Sequence, residues 1–335
     1  MMWGVPFRDT WLNIFDTPKS HFFIKDCIVD YETGLIYKDG DIVWETANEN
    51  MVWTGGWVSG DPRWMNRISR QDMISERMRK LKNHIENKIE KSPVINTIDD
   101  SCSLHLLHPF NRYVFGHLFD TLQKLSVVEE EKLNFDSIIL PKTHEIIDID
   151  SHLKAIKIHE KIRHHSDLGI VRVKNLLYIC PPSHPTSFTG NSFAYIRRSY
   201  ADMLNLEFNT KPDLKLFLTR RKDKFKRYLI NDVEVQDVLD KNGIITLDGT
   251  ENFLDIAKLF SKASHVAGVH GSLFTNNIYG NSVTKYLEYC PRKRENHTFH
   301  HQLKICDSYT HTLVDGDEQH NISLVTDDLM VFFNS

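Results

Sequence analysis

The sequence lacks several features that would place it in a simple class. No run of eighteen apolar residues occurs, so no membrane-spanning helix is expected. The opening Met1-Met2-Trp3-Gly4-Val5-Pro6-Phe7-Arg8 has no basic start leading into an apolar segment, so no secretory signal is read there. Cysteine is scarce. Cys27, Cys102, Cys180, Cys290 and Cys306 are odd in number, far apart and form no C-x-x-C pair. That fits reduced thiols in a cytosol-like compartment better than a disulfide framework. Neither sign of charge dominates: the formal net charge of -4 offers no global attraction to nucleic acid. There is no internal repeat and no low-complexity linker.

What remains is a soluble globular balance, 41% hydrophobic and 26% charged, in a chain of 335 residues that is too long for one ordinary core and suits two domains. The first fifty residues read as short strands. "HFFIKDCIVD" and "GLIYKDGDIVWE" are apolar runs, and Lys38-Asp39-Gly40-Asp41 has hairpin-turn chemistry. Residues 66 to 92 carry an amphipathic helical pattern that stops before Pro93. From residue 104 the pattern alternates. "YVFGHLFDTLQKLSVVEE", "HLKAIKIHEKI", "NSFAYIRRSYADMLNL", "NDVEVQDVLDKNG" and "NFLDIAKLFSKA" predict helices, the last capped by Asn252. "FDSIILP", "NLLYICPP", "LKLFLTRR", "IITLDG", "HVAGVHG" and "TKYLEYCP" predict strands, the last of them the final clear strand. Such alternation predicts an α/β fold with parallel sheets covered on both faces. The seam is placed at 195 to 213, before Lys211-Pro212, giving domains 1–200 and 201–335.

Three clusters in the second half carry chemistry. His270-Gly271-Ser272 ends the apolar run "HVAGV" and precedes a helical stretch. Ligands of parallel sheets sit at the carboxyl ends of strands, where a glycine lets backbone approach an anion and the next helix start offers free amides. Alone, the same residues also fit a tight strand-to-helix turn with a capping serine. Arg220 and Arg221 end another strand, followed by Arg227, Asn231, Asp232 and Glu234. Guanidinium groups at strand ends recognise phosphate oxygens, whereas Lys222, Lys224 and Lys226 read as a solvated loop. Glu288 ends the strand after the His-Gly turn, where a carboxylate reaches ribose hydroxyls or is merely an edge charge. The adjacent pairs His164-His165 and His300-His301 have poor metal-ligand spacing and read as loop residues, so no metal site is expected.

Taken together, Arg220, Arg227 with Asn231, "GVHGSLFTN" at 268 to 276 and "LEYCP" at 287 to 291 resemble glycosyltransferase family 61. The resemblance is specific over 214 to 291 and weaker upstream, where "FGHLFDTL" at 115 to 122 resembles the family's His-and-Asp helix. One departure is Ser272-Leu273-Phe274, where the family has Ala-Gly-Leu after His-Gly. The resemblance implies two Rossmann-like domains facing a central cleft, the GT-B type of fold. It implies a nucleotide-sugar donor, usually UDP-linked, held by the C-terminal domain through Arg220, Arg227, Asn231, His270, Gly271, Ser272, Thr275, Asn276 and Glu288. It also implies inversion at the anomeric carbon with no required cofactor or divalent metal. The Asp-x-Asp spelling at 148 to 150 lies in the first half, away from the Arg and His-Gly clusters. An inverting transfer needs a base opposite the leaving diphosphate. His117 and Asp120, three apart on one helical face, are the candidates. The expected partners are a donor and a glycan or glycoconjugate acceptor, not nucleic acid. The expected location is cytoplasmic or membrane-peripheral, or the secretory lumen if a signal has been removed. Two other readings stay open: a nucleotide-sugar epimerase, and an inactive nucleotide- or carbohydrate-binding protein in which Leu273 marks decay of the site.

Overall fold

A computed structural model describes residues 20–43, 46, 70–92, 95–107, 121–140, 149–164, 169–180, 190–206, 211–220, 228–295, 299 and 308–335. The chain divides into two compact units, Met1–Ile147 with Glu160–Pro185, and Asp148–His159 with Thr186–Ser335. Among the described residues no helix is long and apolar enough to cross a membrane.

The first unit is built on a mixed sheet. Its strands are β1 (His21–Asp30), β2 (Ile36–Lys38), β3 (Asp41–Ile42), β4 (Thr97–Ile98), β5 (Ser103–His105), β6 (Ser137–Ile139), β7 (Ile162–His164) and β8 (Ile170–Ile179). The order is β3-β2-β1-β8-β5-β6-β7, with β4 also on β8. Strands β5 to β8 run parallel, as the alternating pattern predicts. The sheet as a whole is not parallel, because β1 pairs antiparallel with both β2 and β8. The β2–β3 hairpin forms where expected, with Asp39 and Gly40 both at positive φ as a right-twisted two-residue loop requires. Alternate apolar residues of β1 and β8, such as Cys27, Val29, Val171 and Val173, form the core. Helix α1 (Arg70–Lys91) lies against the hairpin, and α2 (Lys124–Glu130) covers β8.

Two elements depart from the sequence pattern here. The helix read over 152 to 162 is α3 (Ile149–Ala155). It stops because Lys157 takes a left-handed conformation, with Lys157 N–H on Lys154 O (3.0 Å) and Ile158 N–H on Leu153 O (3.0 Å). This is a C-terminal cap without the glycine that usually announces it. The freed residues then form β7, which ends at His164 rather than placing that histidine in a loop. Strand β8 starts five residues before the predicted strand, because Ile170, Val171 and Val173 pair with β1.

The second unit holds a five-stranded parallel sheet: β9 (Leu214–Leu218), β10 (Ile245–Leu247), β11 (Ala263–Val269), β12 (Lys285–Pro291) and β13 (Ser308–Val314), in the order β10-β9-β11-β12-β13. Its helices are α4 (Gly190–Leu204), α5 (Asp232–Lys241), α6 (Phe253–Ser261) and α7 (Thr326–Phe333). Phe217, Ala267, Val269, Leu287 and Tyr289 pack with Val235 and Leu239 of α5 and with Leu329 and Phe333 of α7. The alternate strand residues, including Gly268, Glu288 and Cys290, face the other side. Asn252 caps α6 as read, accepting from Asp255 N–H at 3.0 Å.

Strand β13 extends the sheet past the strand read as the last, and α7 follows it. The boundary also differs from 200/201. Helix α4 and the segment carrying α3 belong to this unit because Tyr200 packs on Phe253 (5.5 Å between ring centroids) and Tyr279 (5.1 Å). His152 stacks on Phe253 at 4.4 Å and is hydrogen-bonded to Tyr200. Burial pushes the His152 imidazole down to about 3, so it sits neutral among these rings.

A switch point in the second sheet

In order of sequence, the strands of the second sheet run 2-1-3-4-5. This is a common order of doubly wound sheets, in which ligands bind outside the carboxyl ends of the two strands where the chain changes direction. Those strands are β9 and β11. Arg220 follows β9 by two residues, and His270-Gly271-Ser272 follow β11 directly.

The two ends meet in space. A Cβ placed on Gly271 would lie 2.7 Å from Arg220 Nε and 2.8 Å from its Nη2. The guanidinium therefore lies directly against the glycine. The Gly271 backbone is extended, with φ 178°, so glycine is required there for space rather than for handedness. Beyond it, Ser272–Tyr279 is helical as read, and winds as a 3₁₀ helix. Its first bond is Phe274 N–H to Gly271 O, 3.1 Å, and it closes with Gly280 N–H to Asn277 O, 2.8 Å. Asn276 Nδ2 donates to Leu273 O at 2.9 Å and so takes a carbonyl of the first turn. Ser272 is exposed at the tip, while Thr275 and Asn276 are buried. Among the described residues, the buried Thr275 hydroxyl finds no hydrogen-bond partner.

Beneath the turn, Glu288 is fully buried on β12. Its Oε1 lies 2.5 Å from His270 Nδ1. Its Oε2 accepts from the Tyr309 hydroxyl and lies 3.0 Å from His311 Nδ1. Burial alone pushes this carboxyl up, but the hydrogen bonds and charges of its neighbours outweigh burial and hold it down at about 2. Hydrogen bonds that His311 makes to Cys290 and Glu288 push its imidazole up to about 9 against its own burial. Phe299 lies over the cluster, its ring 5.3 Å from His270 and 5.7 Å from Phe274.

The sequence leaves Glu288 either at ribose hydroxyls or as an edge charge. In the structure it is fully buried, and both of its oxygens are engaged by side chains. Asn231 lines a surface recess of about 640 Å³ together with Arg220. Its amide, however, is paired with the C-terminal segment, Nδ2 to Leu324 O at 2.9 Å and Leu324 N–H to Oδ1 at 3.1 Å. Arg227, His117 and Asp120 lie outside the described residues. Tyr309 and His311 were missed by the sequence reading. Their signal was there: "YTH" places both rings on one face of a strand of period two, but only once β13 is recognised.

Among the described residues, one group of three has metal-ligand types close together: Asp30, Glu32 and His84 in the first unit. Lys88 Nζ already fills it, 2.8 Å from Asp30 Oδ1 and 2.7 Å from Glu32 Oε2. It reads as an ion-paired link between the turn after β1 and helix α1.

A search of curated proteins found no match to this chain. The profile of Glycosyltransferase 61 matches residues 115–287, a little over half of the chain. That span takes in both strand ends of the switch point, the crossover between them and the strand leading to Glu288. The chain therefore belongs to glycosyltransferase family 61 and is a glycosyltransferase.

Proposed function

We propose that the chain is an inverting transferase that moves a sugar from a nucleotide-sugar donor, UDP-linked, to a glycan or glycoconjugate acceptor in surface polysaccharide or glycoprotein glycan synthesis. The observation that carries this reading is the Arg220–Gly271 contact at the switch point. A guanidinium lies against a residue without a side chain, at the start of a helix whose first amides have no acceptor within it. That arrangement suits a diphosphate. In the proposed reaction the acceptor hydroxyl loses its proton to a base and attacks the anomeric carbon. The bond from that carbon to the diphosphate oxygen breaks, and the charge that develops on the leaving group is met by Arg220 and the amides after Gly271. No metal is called for in this scheme. His270 serves the leaving-group side, and His117 or Asp120 supplies the base from residues 1–200, the proposed acceptor side of a GT-B arrangement. Arg227, Ser272, Thr275 and Asn276 are assigned to the same donor site as Arg220. In this scheme Glu288 orients His270 rather than holding ribose, supported by its contact to His270 Nδ1, and Asn231 ties α5 to the C-terminal segment, supported by its two bonds to Leu324.

The test is calorimetric titration of the protein with UDP, GDP and CMP, followed by a donor assay with product analysis. UDP binding that falls about tenfold to a hundredfold in Arg220→Ala is the expected result for loss of a charge-assisted contact. Unchanged affinity in a folded Arg220→Ala protein overturns the donor-site assignment. Isomerised donor without transfer would make the protein an epimerase, and binding without turnover an inactive binder.

A further inference from the structure

We propose that Tyr309 and His311 of β13 are positioning residues for the transfer. They grip one oxygen of Glu288 so that its other oxygen sets the tautomer and tilt of the His270 ring at the switch point. This rests on the reading of that switch point as the donor site.

Three observations carry it. First, Glu288 has no exposure and three donors on two oxygens: His270 Nδ1 at 2.5 Å on Oε1, with the Tyr309 hydroxyl and His311 Nδ1 (3.0 Å) on Oε2. An ionised carboxylate only accepts, so each of these contacts fixes where a hydrogen must lie, including the Nδ1–H of His270. Second, the support is built by register. Glu288 is the direct neighbour of His311 across the parallel β12–β13 pair, and Tyr309 lies two residues away on the same face, its oxygen 3.2 Å from His311 Nδ1. Two donors on Oε2 stop the carboxylate from rotating about its last bond, a motion that a single contact to His270 would allow. Third, this support lies outside the span that the family profile describes. The match ends at Leu287, one residue before the carboxylate and before the whole of β13. The carboxyl is held at about 2, so the support is a charged acceptor at neutral pH.

The plain alternative is that β13 only stabilises a buried charge. The experiment must therefore read the His270 ring as well as the fold. The full chain labelled with ¹⁵N-histidine is compared by NMR with Tyr309→Phe, His311→Leu, the double variant and His311→Asn, whose amide keeps a donor near the position of Nδ1. His270→Gln assigns the resonance. Wild-type protein is expected to show a far-downfield Nδ1–H proton that Glu288→Gln also removes. The double variant, folded by near-ultraviolet circular dichroism, should lose or broaden that resonance and lower kcat by about tenfold to a hundredfold, and His311→Asn should recover much of both. If the double variant keeps the Nδ1–H resonance and the wild-type kcat, the inference is overturned. Should the double variant fail to fold, Tyr309→Phe alone decides, since it removes one hydroxyl and no volume of ring. Failure of the donor-site reading looks different. UDP would then not bind the wild-type protein, while the ring resonance would still respond to the β13 variants.

Discussion

Arg220 and Gly271 make a pair whose coupling can be measured. A methyl group on Gly271 would displace the far end of a flexible side chain, which costs little stability, but the cation would leave its place. Gly271→Ala is therefore expected to lower the melting temperature by a few degrees or less while weakening UDP binding about as much as Arg220→Ala does. The double variant should be no worse than either single one, because both remove the same contact. Additive losses would show that the two residues act separately. Glu288 gives a second expectation. Its carboxyl is held at about 2 against an ordinary 4.5, so its stabilising contribution is full above pH 4.5 and is lost as pH falls toward 2. His311 runs the other way: raised from 6.5 to about 9, it contributes fully below pH 6.5 and loses that contribution as pH rises through 9. Urea titrations across pH should show Glu288→Gln less stable by about 2 kcal/mol at pH 7 and with a flatter acid limb. Arg220, His270 and Gly271 were legible in the sequence because strand ends have a recognisable grammar: an apolar run, then polar residues and glycine. The partners of Glu288 were not legible. Contacts to a buried carboxylate depend on which strand lies beside it, and neighbouring strands leave no mark on each other's sequence.

The elements follow the apolar pattern where their ends carry a chemical signal. Asn252 announces α6, and Gly243, at positive φ, closes the turn after α5. Asn252→Ala should cost about 1 kcal/mol in a chemical denaturation curve, the usual loss for an N-cap whose side chain accepts a backbone N–H. No change would mean that Asp255 N–H finds another acceptor. Where the signal is missing, the sequence misleads. Helix α3 is closed by a lysine in the left-handed region, and without a glycine its apolar spacing read on to Ile162, the first residue of β7. Ser272–Tyr279 is the helix that was read, but its Ser, Thr and Asn are weak α-formers, Asn276 bonds the carbonyl of Leu273, and the segment winds as 3₁₀. Strand β13 escaped because it is a half-exposed edge whose serine, tyrosine, threonine and histidine dilute the apolar alternation.

For the molecule as a whole, two sheets in two units were readable from composition and alternation, but the path of the chain between them was not. Residues 148–159 leave for the second unit and the chain then returns to the first, a detour that no local pattern records. A fragment beginning at residue 201 lacks α3 and most of α4, so Phe253 and Tyr279 lose the rings of His152 and Tyr200. Such a fragment is expected to bind the dye ANS and to lose near-ultraviolet circular dichroism, the signs of a loosened core. A cooperative melt from residues 201–335 alone would show that these helices are dispensable. Transfer is expected to persist in EDTA; full loss with recovery on added manganese would place a metal at the diphosphate.

The same detour matters while the protein is being made. His152 leaves the ribosome about a hundred residues ahead of Phe253, the ring on which it stacks. At about 5–20 residues per second, that is a delay of about 5–20 seconds. Throughout it, Leu153 and Ile156, both buried in the finished fold, have no core to enter, and the first unit must close its sheet around a loop that belongs elsewhere. Nascent chains stalled before and after residue 253 should differ in protease sensitivity at 149–155. The interval between them is where a chaperone would have something to hold.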